Sequence, residues 1–245
     1  MTAMSGEEQA ARFAAVRERI AQAAEAAGRR PRDVLLIGVT KTHPPATARA
    51  AVRAGLVDLG ENRVQELLAK EPLVPGARWH LIGRLQRNKA KHVVGRQILV
   101  HSVDRPSLAQ ALSRRAAADG VVQRVLVQVN VGDDPRKGGC ELEETEGLVA
   151  YARDLPNLAV EGLMMMPPLP PVGVDPGTAA RPLFSALREQ RDRLRQSFPE
   201  VVHLSMGMSA DLEAAVAEGA TMVRVGTALF GARGGQAWQP EEEVS

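Results

Sequence analysis

Val34-Leu-Leu-Ile-Gly-Val-Thr-Lys41 is a nearly unbroken run of apolar, mostly branched residues that ends in an amine and is followed by Thr42, His43 and two breakers, Pro44 and Pro45. Such a run reads as a buried strand. In α/β folds the chemistry gathers at the carboxyl ends of strands, so Lys41 is either a cation reaching for water or a reactive amine. The rest of the chain decides between the two.

Seven more strand-like segments follow: Val57 to Gly60, Trp79 to Gly83, Ile98 to Val103, Arg124 to Asn130, Ala159 to Met165, Val201 to Met206 and Met222 to Leu229. Helical patterns separate most of them, at Ala46 to Ala54, Arg63 to Lys70, a short one near Asn88 to Val93, Pro106 to Ala118, Glu141 to Arg153, Ala179 to Ser197 and Ala210 to Glu218. One more helix precedes the first strand, opened by a capping box from Ser5 to Glu8 and closed near Gly28 and Pro31. Strand and helix alternating eight times predict an α/β chain forming a single (β/α)8 TIM barrel with an extra N-terminal helix. The expected domain is 1–231, and 232–245 reads as a polar C-terminal tail.

Composition removes several function classes. With 44% hydrophobic residues in 245 the chain can bury a substantial core, and the length suits one barrel or two ordinary domains. The formal net charge of +2 is not the basic excess of a dedicated nucleic-acid binder. The pI near 9.0 follows because few groups titrate between neutrality and that value. A single cysteine, Cys140, excludes an intramolecular disulfide and any multi-cysteine metal site, which fits a reducing compartment. No apolar stretch approaches the roughly 20 residues of a bilayer span, and the N-terminus lacks a signal-peptide hydrophobic region. The expectation is a soluble, cytoplasmic protein with neither nucleic acid nor membrane as partner.

A barrel of this kind commonly binds phosphate at the loops after strands seven and eight. After the seventh comes Ser205-Met-Gly-Met-Ser209, leading into a helix expected from Ala210, with Ser209 as an N-cap whose neighbouring amides face an anion. After the core of the eighth comes Gly226-Thr227, where glycine allows close backbone approach and threonine offers a hydroxyl. Either feature alone is an ordinary cap or strand glycine; both, at the two expected places, favour phosphate. Arg224 lies inside the apolar Met222-Val-Arg-Val-Gly226 and must be paired or aimed at a ligand, since an unpaired buried charge is very costly. It reads as a structural ion pair or as an inward arginine facing a cofactor ring. A lysine after strand one, a phosphate cradle and an inward arginine together suggest pyridoxal 5'-phosphate held as a Schiff base.

The motifs Gly38-Val-Thr-Lys41, Gly60-Glu-Asn-Arg-Val-Gln-Glu66, Trp79-His-Leu-Ile-Gly-Arg-Leu-Gln-Arg-Asn-Lys89, Gln128-Val-Asn130 with Lys137-Gly-Gly-Cys140, Gly162-Leu-Met-Met-Met-Pro167, Leu204-Ser-Met-Gly-Met-Ser-Ala-Asp211 and Val223-Arg-Val-Gly-Thr227 through Phe230-Gly231 run in order along the chain. Together they closely resemble the pyridoxal phosphate homeostasis protein family. That family is similar to the barrel domain of bacterial alanine racemase, binds its cofactor through a lysine and generally lacks a demonstrated catalytic activity. The resemblance implies that Lys41 is the covalent anchor of pyridoxal 5'-phosphate, its amine neutral for attack on an aldehyde. It implies that Ser209, Gly226 and Thr227, with the amide after Met208, surround the phosphate beside Gly207, and that Arg224 faces the pyridine nitrogen. It places Asn62 near the ring or its phenolic oxygen, with His80, Ser205 and Met206 as pocket-wall residues. The implied role is vitamin B6 homeostasis without robust turnover, with PLP and PLP-dependent apoenzymes as partners and a monomeric protein.

The competing reading is an amino-acid racemase, which needs acid and base groups on both faces of the cofactor. In alanine racemases the second base is a tyrosine from a separate β domain across a dimer. This chain is expected to lack that domain, because it ends soon after Gly231, and its one tyrosine, Tyr151, falls in the helix after strand five. A lysine aldolase for a phosphorylated sugar ranks third, since its lysine more usually lies on a later strand.

Other features read as structural. His80, His101 and His203 lack paired metal-ligand spacing. The basic group Arg84, Arg87, Lys89, Lys91 and His92 lacks aromatic interleaving and reads as a solvated face. Met164, Met165 and Met166 read as barrel filling, and Cys140 as an unreactive packing residue. The segment Pro167 to Thr178 suits neither helix nor interior strand and is expected to be a flap over the cofactor.

Overall fold

Eight parallel strands close into a barrel in sequence order: β1 Leu35–Val39, β2 Asp58–Glu61, β3 Arg78–Leu81, β4 Leu99–Val103, β5 Gln123–Gln128, β6 Leu158–Met164, β7 His203–Ser205 and β8 Met222–Val225, with β8 hydrogen-bonded to β1. The computed structural model describes residues 6–132, 134, 137–231 and 238–239. The expected Ser5 cap and, apart from Trp238 and Gln239, the expected tail lie outside the described residues. Helix α1 spans Gly6–Ala26; α2 Pro45–Arg53 and α3 Val64–Lys70 follow β1 and β2, and a 3-10 turn, Arg87–His92, follows β3. Helices α4 Pro106–Ala118, α5 Thr145–Arg153, α6 Pro176–Leu194, α7 Leu212–Ala217 and α8 Thr227–Phe230 follow β4 to β8. No helix among the described residues is long and apolar enough to cross a membrane.

Local chemistry sets the element ends. Proline opens α2, α4 and α6 at the first helical position, where its fixed φ suits the helix and its missing N–H is not needed. Helix α2 stops at Gly55, whose φ of 84° suits glycine, and the Leu56 amide reaches back to the Ala51 carbonyl at 3.0 Å.

Two apolar layers hold the barrel. Alternate residues point inward, where Ile37, Leu99, Leu126, Met164 and Met222 form a small interior cluster. The others point outward into the larger core beneath the helices. Helix α1 completes the outer layer by packing on α7 and the short α8, with Phe13 edge-on to Phe230 at 6.0 Å between ring centroids.

Several boundaries depart from the sequence pattern. The eighth strand, expected to Leu229, ends at Val225, and Gly226 turns the chain into α8. Periodicity cannot separate a short buried strand from a buried helical turn, so Thr227 to Leu229 read as strand. Helix α6 starts at Pro176 rather than Ala179, because Asp175 accepts the Thr178 amide at 2.8 Å as N-cap. The final three residues of the expected flap are therefore helical, while Leu169 and Val172 ahead of them are strongly exposed. Helix α7 starts at Leu212 rather than Ala210, for a reason that belongs to the site.

Candidate functional site

The carboxyl-terminal ends of β7, β8, β1 and β2 are consecutive around the closed barrel, and ten of the eleven residues singled out from sequence lie on this arc. Lys41 is half-buried in the turn after β1, and Asn62 follows β2 directly. Ser205 ends β7 and leads into Met206, Gly207, Met208 and Ser209; Arg224 is on β8, followed by Gly226 and Thr227. The eleventh residue, His80, is on β3, one strand beyond the arc, and points into the interior below the mouth.

The β7 loop is shaped by Gly207. Its φ of 92° and an added Cβ only 2.4 Å from the Ala215 Cβ leave no room for a side chain. The Gly207 carbonyl accepts the Arg224 amide at 2.9 Å, tying this loop to β8. The buried Asp211 carboxylate accepts the Met208 amide. That bond folds Ser209 and Ala210 into a turn and makes Asp211, not the expected Ser209, the residue preceding α7. Burial raises the Asp211 carboxyl pKa, opposed by the Met208 amide. The Ser209 hydroxyl is instead an acceptor for the Ala228 amide at 3.4 Å, linking the two expected phosphate loops. Gly226 lies so close to β1 that an added Cβ would stand 3.4 Å from the Val39 carbonyl oxygen.

Met206 corrects an expectation. It follows the inward Ser205, so alternation turns its side chain outward, fully buried in the layer beneath the helices. It forms no side-chain wall of the mouth.

Arg224 is 3% exposed and points inward. It donates to Ser205 Oγ at 2.7 Å and to the Met165 carbonyl at 2.8 Å. Burial lowers its pKa to about 10, so it stays a cation at neutral pH. Asp211 is the acid that acts on it through space, while a buried chain of hydrogen bonds leads from it to Asp58. Ser205 Oγ is 2.9 Å from His101 Nδ1, His101 Nε2 is 3.0 Å from His80 Nδ1, and His80 Nε2 is 3.1 Å from Asp58 Oδ1. An arginine only donates, so the Ser205 proton must go to His101 and every later donor must point the same way. Both imidazoles are then neutral with the proton on Nε2, and the chain ends on the Asp58 carboxylate. Burial above all, with His80 and Arg224 nearby, holds the His101 pKa well below its ordinary value.

This arrangement makes His101 central, although its sequence neighbourhood gave only a core histidine. His101→Leu would strand the Ser205 hydroxyl and His80 Nδ1 in a dry interior, at about 1–3 kcal/mol for each unsatisfied group. Denaturant unfolding should show a loss of about 2 kcal/mol or more, and an unchanged midpoint would refute the relay as drawn.

The opposite face of the barrel is less suited to an anion. A cavity there is lined by Asp58, Arg78, Arg96 and Arg124 among others, but each arginine meets a carboxylate: Asp58, Glu71 and Glu161 respectively. No group of His, Cys, Asp and Glu suited to a metal ion occurs among the described residues. Cys140 is buried, with burial pushing its thiol up to about 11, and Tyr151 is exposed on α5 in the outer layer.

The family model for the N-terminal domain of alanine racemase matches residues 9–234. The pyridoxal phosphate homeostasis protein of Aquifex aeolicus is 46% identical over 225 residues, covering 91% of this chain and 97% of its own length. The protein of the same name from Pseudomonas aeruginosa is 43% identical over 223 residues, covering 90% and 94%. The structure of PipY from Synechococcus elongatus with PLP bound superposes with a TM-score of 0.78 at 37% identity, covering 91% of this chain and 100% of that one. Alanine racemase of Clostridium difficile shares the fold at 16% identity and a TM-score of 0.72, over 93% of this chain and 59% of that one. The barrel, the ordered run of motifs and these relatives agree: the chain belongs to the pyridoxal phosphate homeostasis protein family.

Proposed function

We propose that this protein binds pyridoxal 5'-phosphate at the carboxyl-terminal mouth of its barrel, holds it covalently as a Schiff base on Lys41, and serves the supply of that cofactor rather than amino-acid turnover. The observation that carries this reading is the placement of a half-buried lysine just after β1, whose neighbours in the barrel are β8 and then β7 with their glycine-shaped loops. PipY, solved with PLP bound, supports it.

The residues fit such a ligand. Ser209, Thr227 and the backbone of Gly207 and Gly226 bring hydroxyls and amides to one side of the mouth, as a phosphate dianion requires. Asn62, directly after β2, is the proposed contact on the other side. Arg224 presents donors and no acceptor to the barrel axis, so it would donate to a ring nitrogen and oppose its protonation. The cofactor, when bound, supplies an aldehyde that condenses with an amine and a ring that withdraws electrons. An arginine at that ring nitrogen weakens the withdrawal, and Tyr151 lies on an outer helix rather than at the mouth. Both points favour holding over catalysis. PLP-dependent apoenzymes in the cytoplasm are the proposed recipients, served by a monomer.

Borohydride reduction of the purified protein loaded with PLP, followed by peptide mass mapping, tests this. A pyridoxyl group on Lys41 is expected; a colourless protein that acquires none would sink the reading. Incubation with alanine in deuterated water separates the racemase alternative, which requires rapid Cα exchange with loss of chirality.

A further inference from the structure

Behind the turn carrying Lys41 lies a buried ionic cluster on which nothing above depends. Lys70, the last residue of α3, is fully buried, its ammonium 2.6 Å from Glu61 Oε1 and 3.6 Å from Glu66 Oε2. It donates to the Thr40 carbonyl at 2.8 Å. Glu61 also accepts the Thr40 hydroxyl at 2.6 Å, and Glu66 accepts the Thr42 amide at 2.8 Å. Trp238 closes the assembly: its amide donates to the Thr42 carbonyl at 3.0 Å, and the Lys70 ammonium lies 5.0 Å from its ring centroid.

Each of those backbone and hydroxyl bonds lands on the residue immediately before or immediately after Lys41. Thr42 itself has a φ of 65°, a conformation that a β-branched residue adopts only where its surroundings over-determine it. An ion pair taken out of water gains little stability over a well-packed apolar pair. What it supplies is direction, through lone pairs and N–H bonds of fixed geometry. The cluster is also held close to its limit: burial pushes the Glu61 carboxyl up to about 6 despite Lys70, and Glu61 Oε2 has no hydrogen-bond partner.

We infer that Glu61, Lys70 and Glu66 are positioning residues that fix the backbone on both sides of Lys41 and thereby aim its amine at an incoming aldehyde. This rests on the reading of Lys41 as the cofactor anchor. A cluster that merely filled space could be replaced by apolar or neutral groups without effect on the amine. A positioning cluster cannot, because orienting a nucleophile lowers the barrier to its reaction.

The test separates reaction from recognition. In the reaction timed, the amine nitrogen adds to the aldehyde carbon; the carbonyl oxygen departs with two protons as water, and borohydride then delivers hydride to the C=N bond, leaving a secondary amine. The full-length protein, freed of cofactor, is mixed with PLP, and the adduct on Lys41 is trapped over time and quantified by mass. Affinity for pyridoxine 5'-phosphate, which carries an alcohol in place of the aldehyde, is measured by calorimetry. For Lys70→Met the inference expects adduct formation slowed at least about tenfold with pyridoxine 5'-phosphate affinity within about twofold of wild type. Glu61→Gln keeps an acceptor for the Thr40 hydroxyl and removes the charge, so it carries the same test with less risk to folding.

Variants that form the adduct at the wild-type rate overturn the inference, as do variants that lose both measures equally. Wild type that forms no adduct on Lys41 removes the anchor reading itself, and the inference with it.

Discussion

Lys41→Ala is expected to abolish the borohydride-stable pyridoxyl adduct and the visible absorption of the PLP-loaded protein, while leaving the fold intact. Alanine has no nucleophile, so the loss should be complete rather than graded. Thermal unfolding should hardly move, because Lys41 is half-buried in a turn and side chains outside the core change stability by about 0.5 kcal/mol or less. For a chain of this length that corresponds to a midpoint shift of about 1–2 °C. Pyridoxine 5'-phosphate should still bind, since the proposed phosphate contacts of Ser209, Gly226 and Thr227 lie in the segments after β7 and β8. A variant that retains an adduct would place the anchor on a different amine, and peptide mapping would identify it.

Gly162→Ala should produce a large loss of stability. Gly162 lies on β6 opposite His203 of β7, next to an irregularity where Val125 and Leu126 pair with Val160 and Gly162 and skip Glu161. An added Cβ would stand 2.2 Å from the His203 carbonyl oxygen and 2.7 Å from its carbonyl carbon, both main-chain atoms that cannot swing away. The two strands must separate, at a cost of about 3 kcal/mol, the upper end for forced packing. The midpoint should fall by about 6–12 °C, read by calorimetry. The damage should also reach the mouth, because β7 is only His203–Ser205 and Ser205 carries both Arg224 and His101. An alanine variant with wild-type melting would mean that the sheet is far more compliant here than the geometry allows.

Much of the architecture was legible because its determinants are local. Buried strands announce themselves as short apolar runs, and eight of them separated by helical patterns admit few alternatives. The boundary errors have local causes as well. Asp175 and Asp211 take main-chain amides and move helix starts in opposite directions, and nothing in the hydrophobic pattern records which amide a carboxylate will choose. The resemblance implied a pocket-wall Met206, yet alternation after the inward Ser205 carries its side chain into the outer core.

By itself the sequence determined the barrel, the amine at the end of its first strand, the glycine-bearing loops after its last two, and an arginine that had to find a partner. Only the tertiary structure decided what that partner was. Arg224 donates to Ser205 and is linked through His101 and His80 to Asp58, residues drawn from five different strands. It likewise decided that Lys70, an unremarked helix end in the sequence, is fully buried against Glu61 and Glu66 beneath the Lys41 turn. The reason is geometric: periodicity fixes which face of its own strand or helix a residue occupies, whereas hydrogen-bond partners across a closed barrel depend on stagger and register between strands.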